Sequence, residues 1–218
     1  MRTDAVRPYY DVLAKHRGSL VVKRAFDIVA GCVTFVVLAI PMGVIAVMIK
    51  ADSEGPVFYR QERVTAYGGK FRIHKFRTMV NNADRLGSAV TVSGDSRITR
   101  VGARLRDHRL DEFPQVLDVL TGDMSFVGTR PEAVKYVERY TPEMMATLLL
   151  PAGITSEASV EFKDEAELLE SAENADETYL RDILPRKMDI NLRTVREFSL
   201  GREFRTLLGT VFEVFLRK

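Results

Sequence analysis

An apolar run extends from Ile28 to Ile49, 22 consecutive positions without a charged side chain. An α-helix of that length is ~33 Å long at ~1.5 Å per residue, which matches a hydrocarbon core ~30 Å thick. The run lies too far from the start, and is too long, for the apolar core of a secretory signal peptide. We therefore predict a membrane helix. A buried helix of a soluble protein is the disfavoured alternative, because such helices rarely lack a polar face over this length.

Flanking charge and a proline favour a re-entrant helix over a spanning one. Lys23 and Arg24 precede the apolar run, and Lys50 follows it. Basic residues concentrate on the cytoplasmic side of membrane segments, so both ends are predicted on the same side. Pro41, near the middle, removes one backbone donor and kinks a helix. We expect a kinked helix that enters one leaflet and returns.

The carboxylate of Asp27 has two interpretations that do not exclude each other. It can cap the start of the membrane helix, where a negative charge is mildly favourable. Alternatively, Lys23, Arg24 and Asp27 together hold the point where the chain meets the membrane, with the cations near lipid phosphates. The predicted membrane residues are thus Lys23, Arg24, Asp27 and Pro41.

Polar and apolar residues partly alternate in PVFYRQE and in KFRIHKF, and the turn signal YGG separates the two segments. This pattern predicts a β-hairpin. In its second strand Phe71 and Ile73 are expected to face the interior, and Lys75 and Arg77 to stay accessible. A solvated basic strand is the alternative to a binding role for these cations. A polar loop and then a short helix over Arg100–His108 are predicted next.

Two adjacent carboxylates, Asp111 and Glu112, follow a run of arginines and open an apolar pattern with helical spacing. Pro114 is tolerated only in a first turn, so the helix is predicted to begin close to Asp111. The Asp111 carboxylate then lies at or near the N-cap, where backbone N–H groups keep it ionised. A phosphate or a metal-bound phosphate would dock at the same place. An N-cap aspartate without a catalytic role is the alternative.

The rest of the chain offers three further patterns. TGDMSFVGTRPE predicts a tight loop that leads to Arg130, and arginine is well shaped to grip phosphate bidentately. The chain then has a helical, apolar pattern up to about residue 150. Nine carboxylates between Glu157 and Glu177 predict a solvated helical face rather than a metal site. From Gly201 an amphipathic helix is predicted, whose apolar face either packs on the domain or lies in the membrane interface.

Charge is unevenly distributed along the 218 residues, although the net charge is only +2. Residues 1–140 carry 22 Lys and Arg against 15 Asp and Glu, a net +7, and residues 141–218 carry 10 against 15, a net −5. An anionic partner is therefore expected on the basic part: a membrane surface, nucleotide phosphates or nucleic acid. Because Cys32 is the one cysteine, an intrachain disulfide and a cysteine-based metal centre are excluded.

These features, in this order, resemble the bacterial sugar transferases, the monotopic phosphoglycosyl transferases. The resemblance covers about residues 20–155, and the ordered combination of motifs is more specific than any one of them. The matching motifs are Lys23-Arg24-x-Phe26-Asp27, Gly55-Pro56-Val57-Phe58 with Gln61 and Arg63, Lys75-Phe76-Arg77-Thr78-Met79, Arg97-Ile98-Thr99-Arg100-x-Gly102, Leu110-Asp111-Glu112, and Gly122-Asp123-Met124-Ser125-Phe126-Val127-Gly128 with Arg130-Pro131.

The resemblance implies a mixed α/β fold in its small, minimal form: a re-entrant N-terminal membrane helix and a small α+β cytosolic domain with amphipathic interfacial helices. The implied enzyme is a phosphoglycosyl transferase that moves a sugar-1-phosphate from a UDP-sugar to polyprenol (undecaprenyl) phosphate and releases UMP. It would use Mg²⁺ and initiate glycan biosynthesis, such as that of an exopolysaccharide. The implied location is the bacterial inner (cytoplasmic) membrane, with the catalytic domain on its cytoplasmic face.

Carried onto this sequence, the resemblance implies that Asp111 is the nucleophile, forms a covalent aspartyl-phosphosugar and contacts Mg²⁺. Glu112 would handle the proton of the incoming polyprenol phosphate. Attack by a carboxylate on a diphosphate brings like charges together, so a metal ion and arginines are needed nearby. The substrate-binding candidates are Lys75, Arg77, Arg97, Arg130 and Pro131.

The predicted organisation is an N-terminal segment (1–22), a re-entrant helix (23–50), a catalytic core (51–155) and an acidic and amphipathic helical region of the same domain (156–218). The predicted partners are a UDP-sugar, undecaprenyl phosphate and membrane lipids, with a homodimer left open. A catalytically inactive membrane-anchored binding module of the same fold is the main alternative. No nucleic-acid partner is expected, because the chain has no recognisable nucleic-acid-binding motif or aromatic stacking pattern.

Overall fold

A computed structural model describes residues 3–83, 95–162 and 174–216 of the chain. The fold mixes helices and strands, as predicted, and has one long apolar helix near the N-terminus. The α-helices are α1 (Arg7–Lys15), α2 (Arg17–Asp52), α3 (Arg100–Asp107), α4 (Gln115–Thr121), α5 (Val134–Val137), α6 (Glu157–Glu161), α7 (Ala175–Thr178), α8 (Leu184–Arg196) and α9 (Leu200–Leu216). The strands are β1 (Phe58–Val64), β2 (Lys70–Phe76), β3 (Met124–Val127) and β4 (Ala152–Thr155). Shorter turns are the 3₁₀ segments Ala66–Gly68, Leu110–Glu112 and Met144–Leu149 and the π-turn Tyr179–Ile183.

Strands β1 and β2 form the predicted antiparallel hairpin, with Phe58 opposite Phe76. Phe71 and Ile73 of β2 are buried, as the alternating pattern predicts. Arg77, just after β2, is only 5% exposed, so its predicted accessibility is wrong. The short helix after the polar loop is confirmed as α3. Residues 84–94 of that loop lie outside the described residues.

Strands β3 and β4 pair in parallel, with Ser125 opposite Gly153. The loop predicted at β3 is wrong, and β4, which follows the segment with the helical pattern, was not predicted. A four-residue strand in the interior shows no alternation to detect. Close approach explains the glycines. A Cβ on Gly153 would collide with the backbone of Gly128. This small parallel sheet joins the segment before Arg130 to the chain after residue 150.

Helix α2 continues through the proline at its middle and contacts the rest of the protein at both ends. Asp27 and Gly31 are buried near its start, and Ile45 and Ile49 near its end. Residues 32–44, between these contacts, are exposed or half-buried. The apolar middle therefore projects from the domain, while both flanks pack on it.

Helix α1 and the turn before it pack on α8 in the C-terminal region. Val6, Tyr9 and Leu13 share one buried apolar cluster with Leu192 and Val195. A single residue separates α1 from α2. The start of the long helix is therefore anchored to the C-terminal region.

The predicted C-terminal amphipathic helix is confirmed as α9, and its orientation is informative. Glu203 and Thr206 are buried against the domain. Phe204, Leu208 and Phe212 are 55%, 52% and 67% exposed. The polar side of α9 thus packs on the domain, and these three apolar side chains point away from it. Of the acidic stretch before it, residues 163–173 lie outside the described residues.

Candidate active site

A cavity of about 680 Å³ opens between the β1–β2 hairpin, the segment after β2 and the turn at Leu110–Glu112. Arg130 is drawn to it by an ion pair with Glu112, at 2.5 Å. The cavity thus unites residues from distant positions in the chain. Five of the predicted site residues line it directly: Lys75, Arg77, Arg97, Asp111 and Glu112.

The two adjacent carboxylates lie in a 3₁₀ turn, Leu110–Glu112, rather than at the start of an α-helix. Pro114 is the N-cap residue of α4, which begins at Gln115. The helix start predicted near Asp111 is therefore wrong by four residues. Asp111 faces the cavity from a tight turn, not from the N-terminus of a helix.

Packing on both sides of the turn explains this local structure. Leu110 and Phe113 pack on a core cluster that includes Ile49 and Phe76. Arg109, just before the turn, adopts the left-handed backbone conformation, with φ 54°. A non-glycine residue is uncommon there. The chain reverses after α3 in this way, so that both apolar side chains are buried while the carboxylates between them stay at the cavity.

Glu112 is enclosed by two cations from different elements. Lys75 Nζ, on β2, lies 2.7 Å from Glu112 Oε1, and Arg130 Nη2 lies 2.5 Å from the same oxygen. Burial raises the pKa of Glu112, but the charges of Arg130 and Lys75 outweigh burial and hold the pKa far below its ordinary value. Glu112 is thus an ionised group that holds two cations at the cavity wall.

Asp111, its neighbour, is in a different electrostatic state. Burial raises the pKa of the Asp111 carboxyl, against the positive charges of Lys75 and Arg106. Among the described residues, no side chain donates a hydrogen bond to this carboxylate. A carboxylate with a raised pKa and no side-chain donor, facing a cavity with cations nearby, is suited to act as a nucleophile.

Arg77 and Arg97 line the cavity but already bind protein groups. Arg77 donates to the carbonyls of Ser53 and Glu54, at 2.7 and 2.8 Å, and so satisfies backbone acceptors around the end of α2. Arg97 forms a bidentate pair with Asp95, with Nη2 2.6 Å from Oδ2 and Nε 2.9 Å from Oδ1. Their substrate-binding role stays a prediction.

The cavity is also lined by arginines that the sequence did not single out as binding residues, among them Arg63 and Arg106. Arg63 donates to the carbonyl of Pro131 at 3.3 Å, which is how that predicted residue contacts the site. Arg106 donates from Nε to the hydroxyl of Thr78 at 2.9 Å. The negative charge of Asp111 also interacts with Arg106 and stabilises its charged form. Both occur in arginine-rich stretches, but only the folded chain shows which arginines face the cavity.

Two of the predicted membrane residues, Lys23 and Asp27, are buried away from the cavity. Lys23 donates to the carbonyl of Val127 at 2.8 Å and forms an ion pair with Glu203. Asp27 accepts the backbone N–H of Phe126 at 3.1 Å. Since Lys23 is only 8% exposed, its predicted place near lipid phosphates is wrong. The predicted helix cap at Asp27 is also wrong, because α2 begins ten residues earlier.

Arg24 connects the long helix to α4. Its guanidinium donates to the carbonyls of Val119 and Leu120, at 2.6 and 3.0 Å. The last carbonyls of a helix lack partners within that helix, and cations there are favourable. Arg24 therefore binds the C-terminal end of α4, the helix that follows the turn Leu110–Glu112. Pro41, by contrast, lies in the exposed middle of α2.

Within the described parts of the chain, no group of three or more His, Cys, Asp or Glu side chains could hold a metal ion. Mg²⁺ is usually held by one or two carboxylates together with substrate phosphates and water. Asp111, on the cavity and without a side-chain donor, fits that mode of binding. Glu112 is less suited, because two cations already occupy its oxygens.

Known proteins match this chain over most of its length. The profile of the family described as bacterial sugar transferase matches residues 18–217. A UDP-glucose:undecaprenyl-phosphate glucose-1-phosphate transferase of Escherichia coli (strain K12) is 34% identical over 218 residues, 98% of this chain and 44% of that protein. A protein of the same description from Caulobacter vibrioides is 38% identical over 192 residues, 87% of this chain and 68% of that protein.

A third relative is named for N-acetylgalactosamine rather than for glucose. The UDP-N-acetylgalactosamine-undecaprenyl-phosphate N-acetylgalactosaminephosphotransferase of Aeromonas hydrophila is 42% identical over 123 residues, 56% of this chain and 29% of that protein. The chain thus spans less than half the length of the Aeromonas and Escherichia relatives.

Proposed function

The chain belongs to the bacterial sugar transferase family, and from this premise we propose that it transfers a sugar-1-phosphate from a UDP-sugar to undecaprenyl phosphate. The observation that carries the proposal is the state of Asp111. Its carboxylate faces a cavity with cations nearby and has no side-chain donor among the described residues, whereas the adjacent Glu112 is fully paired. The names of the relatives support the substrate classes.

In the proposed reaction a carboxylate oxygen of Asp111 attacks the phosphorus that bears the sugar. The bond from that phosphorus to the bridging oxygen breaks, and UMP leaves with the electron pair. An oxygen of undecaprenyl phosphate then attacks the aspartyl-bound phosphorus, and Asp111 leaves as a carboxylate. The product is an undecaprenyl diphosphate sugar, the first intermediate of a glycan.

Lys75, Arg130 and Arg106 would stabilise the charge that develops on the phosphate oxygens. In the free protein Lys75 and Arg130 bind Glu112. Phosphate oxygens of the donor can replace Glu112 as their partner, and the released carboxylate can then accept the proton of the lipid phosphate. Mg²⁺, held by Asp111 together with the diphosphate, would neutralise phosphate charge.

We also propose that α2 is re-entrant, and that the domain lies on the cytoplasmic face of the inner membrane. Its two flanks pack on the same domain, which supports a location of both ends on one side of the membrane. The exposed middle, residues 32–44, amounts to 13 residues or about 20 Å of helix, less than a hydrocarbon core of ~30 Å. Basic flanks on both sides agree with a cytoplasmic location.

Helix α9 is proposed to lie in the membrane interface next to α2. The buried pair of Lys23 with Glu203 joins the two helices. Phe204, Leu208 and Phe212 point away from the domain, as expected for side chains that enter the acyl boundary. The proposed membrane surface therefore includes both the middle of α2 and the apolar face of α9.

UMP release tests the proposed reaction. Purified protein in detergent would be incubated with undecaprenyl phosphate, Mg²⁺ and a panel of UDP-sugars. Release with one sugar, reduced at least about 10³-fold by Asp111→Asn, is expected. Full turnover by Asp111→Asn would contradict the nucleophile. Binding of a UDP-sugar without release by the unaltered chain would favour an inactive binding module.

Cysteine accessibility tests the re-entrant helix. In a Cys32→Ser background, single cysteines before and after the apolar run would be labelled with a reagent that does not cross membranes. Both are expected to be accessible from the cytoplasmic side only. With Pro41→Ala, the site after the run is expected to become accessible from the opposite side, because the residue that disfavours a straight helix is lost. Identical labelling with and without the proline would contradict the role of Pro41.

A further inference from the structure

The segment Arg130-Pro131-Glu132 follows the parallel sheet and has no regular secondary structure. Its first residue reaches Glu112 in the cavity. Its last residue points the other way: Glu132 is only 7% exposed and accepts a hydrogen bond from the hydroxyl of Tyr179, at 2.6 Å. The segment therefore links the active site to the C-terminal region.

Lys187 completes the surroundings of Glu132. Its Nζ lies 3.7 Å from Glu132 Oε1 and 3.3 Å from the hydroxyl of Tyr179, and its side chain is only 5% exposed. A buried carboxylate requires charged or hydrogen-bonding partners to remain in place. Tyr179, in the π-turn, and Lys187, in α8, supply both.

The backbone of the same segment is held from the opposite side by β1. Val64 N–H donates to the carbonyl of Glu132 at 3.1 Å, and Arg63 donates to the carbonyl of Pro131 at 3.3 Å. These two hydrogen bonds to backbone carbonyls hold the main chain of the segment against strand β1. The side chain of Glu132 adds a contact to the C-terminal region, two residues from Arg130.

We propose that Tyr179, supported by Lys187, is a positioning residue that acts through Glu132 to hold Arg130 against Glu112. This inference rests on the proposed function, because it concerns the geometry of the same cavity. It assigns a role to a region beyond the resemblance at residues 20–155. The contact aligns a cation of the site without touching the substrate.

Positioning by a remote hydroxyl is physically reasonable because Arg130 is long and one-third exposed at its side chain. A flexible side chain on an irregular segment would populate many conformers in which its guanidinium does not face the substrate. Misplacement of a catalytic group by ~1 Å can reduce turnover by about 10²-fold. A single buried hydrogen bond to Glu132 can limit that freedom.

The test compares Tyr179→Phe with the matched control Tyr136→Phe in the complete chain. The two rings pack on each other with centroids 4.7 Å apart. The hydroxyl of Tyr136, however, donates to Asp176 rather than to Glu132. Each variant removes one hydroxyl from the same aromatic cluster, and only Tyr179→Phe removes a donor to Glu132.

Tyr179→Phe is expected to lower kcat for UMP release about tenfold, within the range for small misplacement, whereas Tyr136→Phe stays within about twofold of the unaltered chain. In an Arg130→Ala background, Tyr179→Phe should have no further effect, because the group it positions is gone. Equal losses in the two phenylalanine variants, or a Tyr179→Phe loss that is additive with Arg130→Ala, would overturn the proposal.

Amide hydrogen exchange tests the contact between Tyr179 and Glu132 independently of enzymatic activity. Residues 128–133 are expected to exchange faster in Tyr179→Phe and at an unchanged rate in Tyr136→Phe. This difference in a chain that releases no UMP would contradict the proposed function and leave the positioning contact standing. Unchanged exchange in Tyr179→Phe would overturn the inference, whether or not the protein is active.

Discussion

Two of the clusters of opposite charges among the described residues differ in how far solvent can reach them. In the cavity, Glu112 is paired with Lys75 and Arg130, whose side chains are 22% and 33% exposed. Where α2 meets α9, Lys23 is paired with Glu203, and these side chains are 9% and 10% exposed. The first cluster is accessible from the cavity, and in the proposed mechanism its cations exchange Glu112 for an incoming phosphate. The second is closed to ligands.

The two aspartates show the same contrast. Asp27 is only 3% exposed and accepts the backbone N–H of Phe126. Asp111 lines the cavity and has no side-chain donor in the described part of the chain. A buried charge with satisfied hydrogen bonds stabilises one arrangement, whereas a charge with remaining capacity is available for chemistry. The role of a charged motif residue thus depends on its partners more than on its type.

Outside the proposed nucleophile, the largest effect on rate is expected from Glu112→Gln, which removes the charge between Lys75 and Arg130. We expect kcat/KM for UMP release to fall by about 10²–10⁴-fold, as for loss of a general acid–base group. Stability should change by only about 1 kcal/mol, because water reaches the partly exposed side chains of the two cations. Kinetics and denaturant unfolding of the same preparation would check both. A stable, fully active variant would show that the charge of Glu112 is not needed for the reaction, and the functional contrast between the two clusters would be lost.

The largest effect on stability is expected from Lys23→Met, which leaves Glu203 buried without its cation. Breaking a buried pair in this way costs about 3–5 kcal/mol. The free energy of unfolding in detergent would measure it. Lys50→Met is the matched control, since exposed Lys50 donates only to the carbonyl of Gly55 and its loss should cost less than about 1 kcal/mol. Similar losses for both lysines would remove the distinction between the clusters.

A smaller loss is expected from Arg24→Met, which keeps most of the side-chain stem but removes two donors to the end of α4. About 1–3 kcal/mol of stability should be lost, because the carbonyls of Val119 and Leu120 lose a charged partner. Unfolding by denaturant would measure this loss. Because α4 follows the turn that carries the proposed nucleophile, UMP release at saturating substrate should fall as well. Unchanged stability would show that water replaces the guanidinium.

The smallest effect, dependent on pH, is expected from Glu157→Gln. Hydrogen bonds from Arg202 lower the pKa of Glu157 in the folded protein below its unfolded value near 4.5, although burial opposes them. A lowered pKa stabilises the fold above the unfolded pKa, and the contribution disappears as pH falls through the folded pKa. The difference in melting temperature between the unaltered chain and Glu157→Gln should therefore be largest above pH 5 and shrink below it. A difference independent of pH would contradict this assignment.

Periodicity predicted the elements whose burial follows a simple pattern. The β1–β2 hairpin, α3, the apolar part of α2 and the amphipathic α9 were all detectable in this way. Strands β3 and β4 were missed, because an interior strand of four residues leaves no alternation to read. The start of α4 was misplaced, because the packing of Leu110 and Phe113 outweighed the signal from Pro114.

By itself, the sequence determined that an apolar helix of membrane length precedes a basic region, and that adjacent carboxylates follow a series of arginines. Motif order also determined the family. Only the tertiary structure decided that Glu112 is paired and Asp111 has no side-chain donor, that Lys23 is buried, and that the apolar side chains of α9 point outward. The physical reason is that periodicity records which positions are apolar. Ion pairs between residues 37 or 180 positions apart depend on how the elements pack.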